Sequence, residues 1–121
     1  MGSFKDLRVW QEAIDLAKMI YQLSRKKPFS KDYGLSSQIQ RAAVSVSSNI
    51  AEGNQRWSFK ESARFYGYAN GSIAEVISLL TIAREIDYIE DFTYTELESK
   101  AEKINAMIKN LILSKKRQAN I

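Results

Sequence analysis

SFKESARFYGYANGSIAEVISLLTIA, residues 58–83, decides the fold. It opens with a capping box, Ser58-Phe59-Lys60-Glu61, in which a hydroxyl and a carboxylate each satisfy a backbone N–H left free by the first helical turn. Phe59, Tyr66, Ala69, Ile73, Val76, Leu80 and Ala83 then recur at helical spacing. That period places one apolar stripe along a helix and leaves no room for strand alternation. The helix is expected to run from about 59 to 87. Gly67 and Gly71 lie inside it with Ala63 and Ala74, at i, i+4, i+8 and i+11. A mid-helix glycine costs about 1 kcal/mol against alanine, so two of them want a reason. Close packing on the second helix, which carries Ala42, Ala43, Ser45, Ser47 and Ser48, is one reason; a backbone opened for a ligand is the other.

The same period extends in both directions. Upstream, Leu35, Ile39, Ala42 and Val46, with Ala43 and Ile50 beside them, predict a helix over about 35–52, closed by Gly53 in a left-handed conformation. Before it, Leu7, Trp10, Ile14, Ala17 and Tyr21, widened by Ala13 and Ile20, predict a helix over 7–26 with Asp6 as N-cap. Pro28 ends that helix, since proline pushes its predecessor out of the α region. Downstream, a second capping box, Thr93-Tyr94-Thr95-Glu96, introduces a helix over 94–116 with Leu97, Ala101, Ile104, Ile108 and Leu111 as its stripe. Four helices of similar length with short connections predict an all-α, antiparallel up-down-up-down four-helix bundle, one domain over 1–121.

Composition removes many functions. The 121 residues include no cysteine, no histidine and one proline. Without Cys there is no disulfide framework or thiol chemistry, and without His neither a Ser-His-Asp triad nor a His-based metal site. The five glycines form no phosphate loop. No enzyme activity and no metal or cofactor is expected. The opening M-G-S-F-K-D lacks an apolar leader, and no 18-residue apolar run exists, so the expectation is a cytoplasmic protein without a membrane partner.

Charge is more informative. The net charge is +4. Residues 85–98 hold six acids and no base; residues 99–121 hold six bases and one acid. Alternating chain direction would gather Lys5, Arg8, Arg56, Lys60, Arg64, Lys115, Lys116 and Arg117 at one end and the acidic stretch at the other, there partly balanced by Arg25, Lys26, Lys27 and Lys31. Lysines and arginines displace counterions from a nucleic-acid backbone, and Trp57 beside them could stack on an unpaired base. Alternatively, Trp57 packs beneath the 53–58 turn and the charges are merely solvated. An acidic partner protein, or association of opposite ends, fits the same charges. The candidate nucleic-acid-binding residues are Arg41, Arg56, Lys60, Arg64, Lys115, Lys116 and Arg117; the competing function is a structural or adaptor module that binds another protein.

Three stretches carry a family resemblance: FKDLRVWQEA at 4–13, GLSSQIQRAAVSVSSNIAEG at 34–53 and FYGYANGSIAEV at 65–76. The chain resembles the four-helix-bundle proteins encoded in intervening sequences of bacterial 23S ribosomal RNA genes. It departs from their pattern at Gln40-Arg41, where two adjacent arginines are usual, and near Ser47, where a proline is frequent. The resemblance implies an antiparallel four-helix bundle, a ring-like homopentamer and no enzymatic activity. It also implies kinship with a pentameric accessory protein of diversity-generating retroelements that binds nucleic acid and a reverse transcriptase. On that view Val9, Phe65, Leu79 and Ile112, apolar but off the predicted ladders, would serve subunit contacts; the plainer account is that a wide helix stripe simply includes them.

Overall fold

The computed structural model describes residues 2–119. Four helices form: α1 (Arg8–Ser24), α2 (Tyr33–Asn54), α3 (Phe59–Glu85) and α4 (Asp91–Ala119), with short 3-10 turns at Phe4–Asp6 and Phe29–Lys31. Among the described residues there is no strand. The polar contacts between helices fix the directions. Gly53 meets Ser62, Ser45 meets Ser72, and Gln38 meets Glu75, so numbers fall on α2 as they rise on α3. The Thr81 and Tyr94 hydroxyls bond at one end of α3 and α4, while Ser62 and Lys115 share a cleft at the other. Glu12 of α1 meets Lys100 and Lys103 of α4. Ser24 pairs with Gln40, and Phe4 lies near Ala51 and Gln55. Each neighbouring pair is therefore antiparallel. The α2–α3 interface is the most extensive and α1–α4 the least.

α3 matches its expectation most closely. Ser58 Oγ accepts the Glu61 N–H at 3.2 Å, and the residues of the ladder from Tyr66 to Ala83 are buried. The helix stops at Glu85 rather than 87 because Asp87 adopts φ 64, and the N–H groups of Asp87 and Tyr88 fold back onto the Arg84 and Ala83 carbonyls. This is a Schellman closure with Asp where glycine is usual. α4 begins at Asp91, so Thr93 lies within its first turn rather than capping it; its buried stripe is Tyr94, Leu97, Ala101, Ile104 and Ile108.

Five expectations need correction. The α1 stripe is rotated by one residue: Val9, Ala13, Leu16 and Ile20 face the core, and Trp10, Ile14, Ala17 and Tyr21 are only half-buried. Trp10 and Tyr21 have polar tips that favour the edge of a core, whereas the neighbouring aliphatic ladder has none. Val9 and Leu79 belong to this core and are not spare for subunit contacts. Asp6 does not cap α1; Leu7 precedes the helix without a side-chain cap. Gly53 is inside α2, with no positive φ, and an added Cβ there would stand 2.4 Å from the Tyr66 ring. Finally, Gly67 and Gly71 do not pack on α2: a Cβ on either would meet nothing within 4 Å. The close α2–α3 approach lies instead at Gly53, against the Tyr66 ring.

The opposite end is closed by residues that periodicity does not reveal. Phe29, from the short turn before α2, is buried against Tyr88. Asp32 caps α2 through Oδ1, accepting the Leu35 N–H, while its Oδ2 accepts the Tyr88 hydroxyl. One carboxylate thus joins the α2 start to the α3–α4 connection.

Candidate nucleic-acid interface

The α2–α3 connection, Gln55–Ser58, is short and pinned at both sides. The N–H groups of Gln55 and Arg56 bond back to Glu52 and Gly53, and Ser58 caps α3. Trp57 occupies its crest and is 100% exposed, so it does not pack beneath the turn. Beside it lies a cleft of about 270 Å³ lined by Arg56, Trp57, Phe59, Ser62, Lys115 and Gln118, among others. The last turn of α4 therefore meets the α2–α3 connection, as the alternating topology requires. Phe4, edge-on to Trp10, brings the α1 start to the same end, where it shares a second groove with Glu52 and Arg56.

The predicted basic residues fall into three groups. Arg56 and Arg64 are held by their own chain: Arg56 pairs with Glu52 and lies over the Phe65 ring at 4.4 Å, while Arg64 pairs with Glu61 at 3.4 Å and lies 5.3 Å from the same ring. Cation–π contact and an ion pair together fix a guanidinium plane. The Nε of Arg56 finds no acceptor among the described residues. Lys60, Lys115, Lys116 and Arg117 form no ion pair among the described residues. Lys116 and Arg117 stand in the last turn of α4, where cations also suit the helix dipole. Arg41 stands apart. It is exposed on α2, thirteen residues before Asn54, which is about 20 Å along the helix from the tip.

Two contributors escaped the sequence reading. Phe65 is a platform for both arginines rather than a spare apolar residue; its place beside the buried Tyr66 signalled only a wide stripe. Gln118 lines the cleft from a stretch with no periodic signal of its own. At the acidic pole, Lys27 and Arg84 share a groove with Asp87, Glu90 and Asp91, so acids and bases are mixed there. Among the described residues no group of three or more His, Cys, Asp or Glu side chains could hold a metal, and no helix is long and apolar enough to cross a membrane.

A family model described as 23S rRNA-intervening sequence protein matches residues 5–110. That span contains Arg41, Arg56, Trp57, Lys60 and Arg64 and ends before Lys115. Among solved structures the chain is similar to a crystal structure of a protein of unknown function from the S23 ribosomal protein family of Bacteroides thetaiotaomicron. The two are 22% identical, the match covers 86% of this chain and 97% of that one, and the TM-score is 0.79. At that identity the likeness bears on fold alone. No curated protein matches the chain.

Proposed function

The chain belongs to the 23S rRNA-intervening sequence protein family, and from that premise we propose that it is a non-enzymatic, homo-oligomeric bundle that binds nucleic acid, RNA in the first instance, through its basic tip. One observation carries the reading: Arg56, Trp57 and Lys115, drawn from distant parts of the chain, line one cleft. The unpaired Lys60, Lys115, Lys116 and Arg117 would contact phosphates, while Arg56 and Arg64, whose planes are already set, would position the strand. Arg41 would act separately, on the side of the bundle. A homopentamer is the assembly that the family resemblance implies, and several copies of one basic patch around an axis would focus the field more than one copy does. Exposed Val44, Tyr68, Ile82 and Leu113 are apolar surface available for such contacts.

Counterion release makes phosphate binding steeply salt-dependent. Gel shifts with structured ribosomal RNA fragments at low salt should show a complex that dissolves as salt rises; no shift at micromolar protein would reject the reading. Light scattering tests the assembly, which fails if the mass is that of the 13.8 kDa chain. A second reading, an adaptor that binds protein, also draws on the exposed Trp57, since tryptophan is frequent among binding hot spots. A pull-down that recovers one acidic protein and no nucleic acid would favour it.

A further inference from the structure

We infer that the tip selects unpaired, single-stranded nucleic acid over duplex, with Trp57 as the stacking platform; this rests on the tip-binding reading above and names its ligand class. Three observations carry it. The indole is fully exposed, and it stands on a connection whose flanking residues are hydrogen-bonded to α2 and α3. It borders a cleft of about 270 Å³ that Phe59, Ser62 and Gln118 also line. Arg56 lines the same cleft, and its guanidinium is held by Glu52 and Phe65.

The indole N–H can donate to a phosphate of either form, but the larger gain for an exposed indole comes from covering the face of a base. In a duplex those faces are already covered by neighbouring base pairs, and a side chain must unstack them to reach one. In a single strand each base offers a free face, and stacking on an aromatic ring is tolerant of sequence. The flexible cations Lys60, Lys115, Lys116 and Arg117 would track the backbone of either form, and charge alone would favour the denser charge of the duplex. Trp57 is the element that discriminates. A base stacked there would direct its polar edge into the cleft, where Gln118 and Arg56 offer donors and an amide oxygen accepts.

The test compares a short oligouridylate strand with a blunt RNA duplex of the same length at one low salt concentration. The proteins are the full chain and its variants Trp57→Ala, Trp57→Phe and Lys115→Gln. The Trp57 ring touches nothing the fold needs, so Trp57→Ala should melt with the wild type. The strand should bind more tightly than the duplex. Trp57→Ala should weaken strand binding about tenfold and leave duplex binding unchanged. Trp57→Phe should keep most of the strand affinity, and Lys115→Gln should weaken both ligands. In a Trp10→Phe background the remaining Trp57 fluorescence should be quenched by the strand and not by the duplex. If Trp57→Ala weakens both ligands equally or neither, the stacking role is overturned, and the tip reading survives on the Lys115→Gln result. If neither ligand binds, the tip reading fails and single-strand selection falls with it.

Discussion

Tyr66 is fully buried, and its hydroxyl has no hydrogen-bond partner among the described residues. Burial pushes the phenol from its ordinary value of 10.0 up to about 12. An unpaired buried hydroxyl costs free energy that a phenylalanine of the same shape would not. Tyr66→Phe should therefore raise unfolding stability by about 1 kcal/mol in urea titrations at neutral pH. The alkaline behaviour follows from the sign of the shift. The folded value lies above the unfolded one, so this contribution is intact below pH 10.0 and declines as pH rises towards about 12, because the unfolded chain releases the proton first. Tyr66→Phe should flatten that decline. It should not abolish it, because Tyr88 is also shifted upward by its hydrogen bond to Asp32.

Gly53 of α2 and Gly67 and Gly71 of α3 look alike as letters and differ once the helices are packed. At Gly53 the Tyr66 ring occupies the place of a side chain, whereas Gly67 and Gly71 face open space. Gly53→Ala should destabilise the fold by about 1–3 kcal/mol through overpacking, despite the better helix propensity of alanine. Gly67→Ala and Gly71→Ala should each stabilise it by about 0.5–1 kcal/mol. Denaturant midpoints of the three variants check the signs. Light scattering on the same samples adds a second readout, because loss of assembly in Gly67→Ala or Gly71→Ala would assign the outer face of α3 to the subunit contact. The contrast also marks how far the chain could be read in advance. Helix number, the α3 cap and the α3 and α4 stripes follow from period and local hydrogen bonding alone. The rotation of α1 does not, because two apolar ladders lie side by side there and only packing chooses between them. The roles of Gly53, Phe29 and Asp32 depend on contacts between residues far apart in sequence. Likewise the basic tip could be anticipated from chain direction, but the outward ring of Trp57 and the pairing of Arg56 and Arg64 with their own glutamates could not.

At the scale of the bundle, α1 is held to α4 across the least extensive of the four interfaces, and Glu12 bridges it to Lys100 at 3.1 Å and Lys103 at 3.4 Å. The Lys100 hydrogen bond holds the Glu12 carboxyl below its ordinary value of 4.5. A lowered folded value means stability that is present above pH 4.5 and fades as pH falls through the folded value. Glu12→Gln should lose about 0.5–1 kcal/mol at neutral pH, the scale of a solvent-accessible pair. Its stability should also fall less between neutral and acid pH than that of the parent. An unchanged acid profile would mean that the bridge contributes nothing to the closure of the bundle.

The position of charge can be separated from its amount. Lys115, Lys116 and Arg117 lie at the tip, and Lys26, Lys27 and Lys31 lie towards the acidic pole, where Lys26 shares a groove with Thr93 and Lys27 one with Asp91. Changing either trio to glutamine lowers the net charge of +4 by the same amount. If total charge governed nucleic-acid affinity, the two triple variants would bind alike. If the tip is the contact, the log–log slope of affinity against salt should become shallower by about two for the tip variant, since each lost phosphate contact to a single strand removes about 0.7. The slope of the distal variant should stay near that of the parent. Equal slopes for the two variants would move the interface away from the cleft beside Trp57, whatever the affinity of the parent chain.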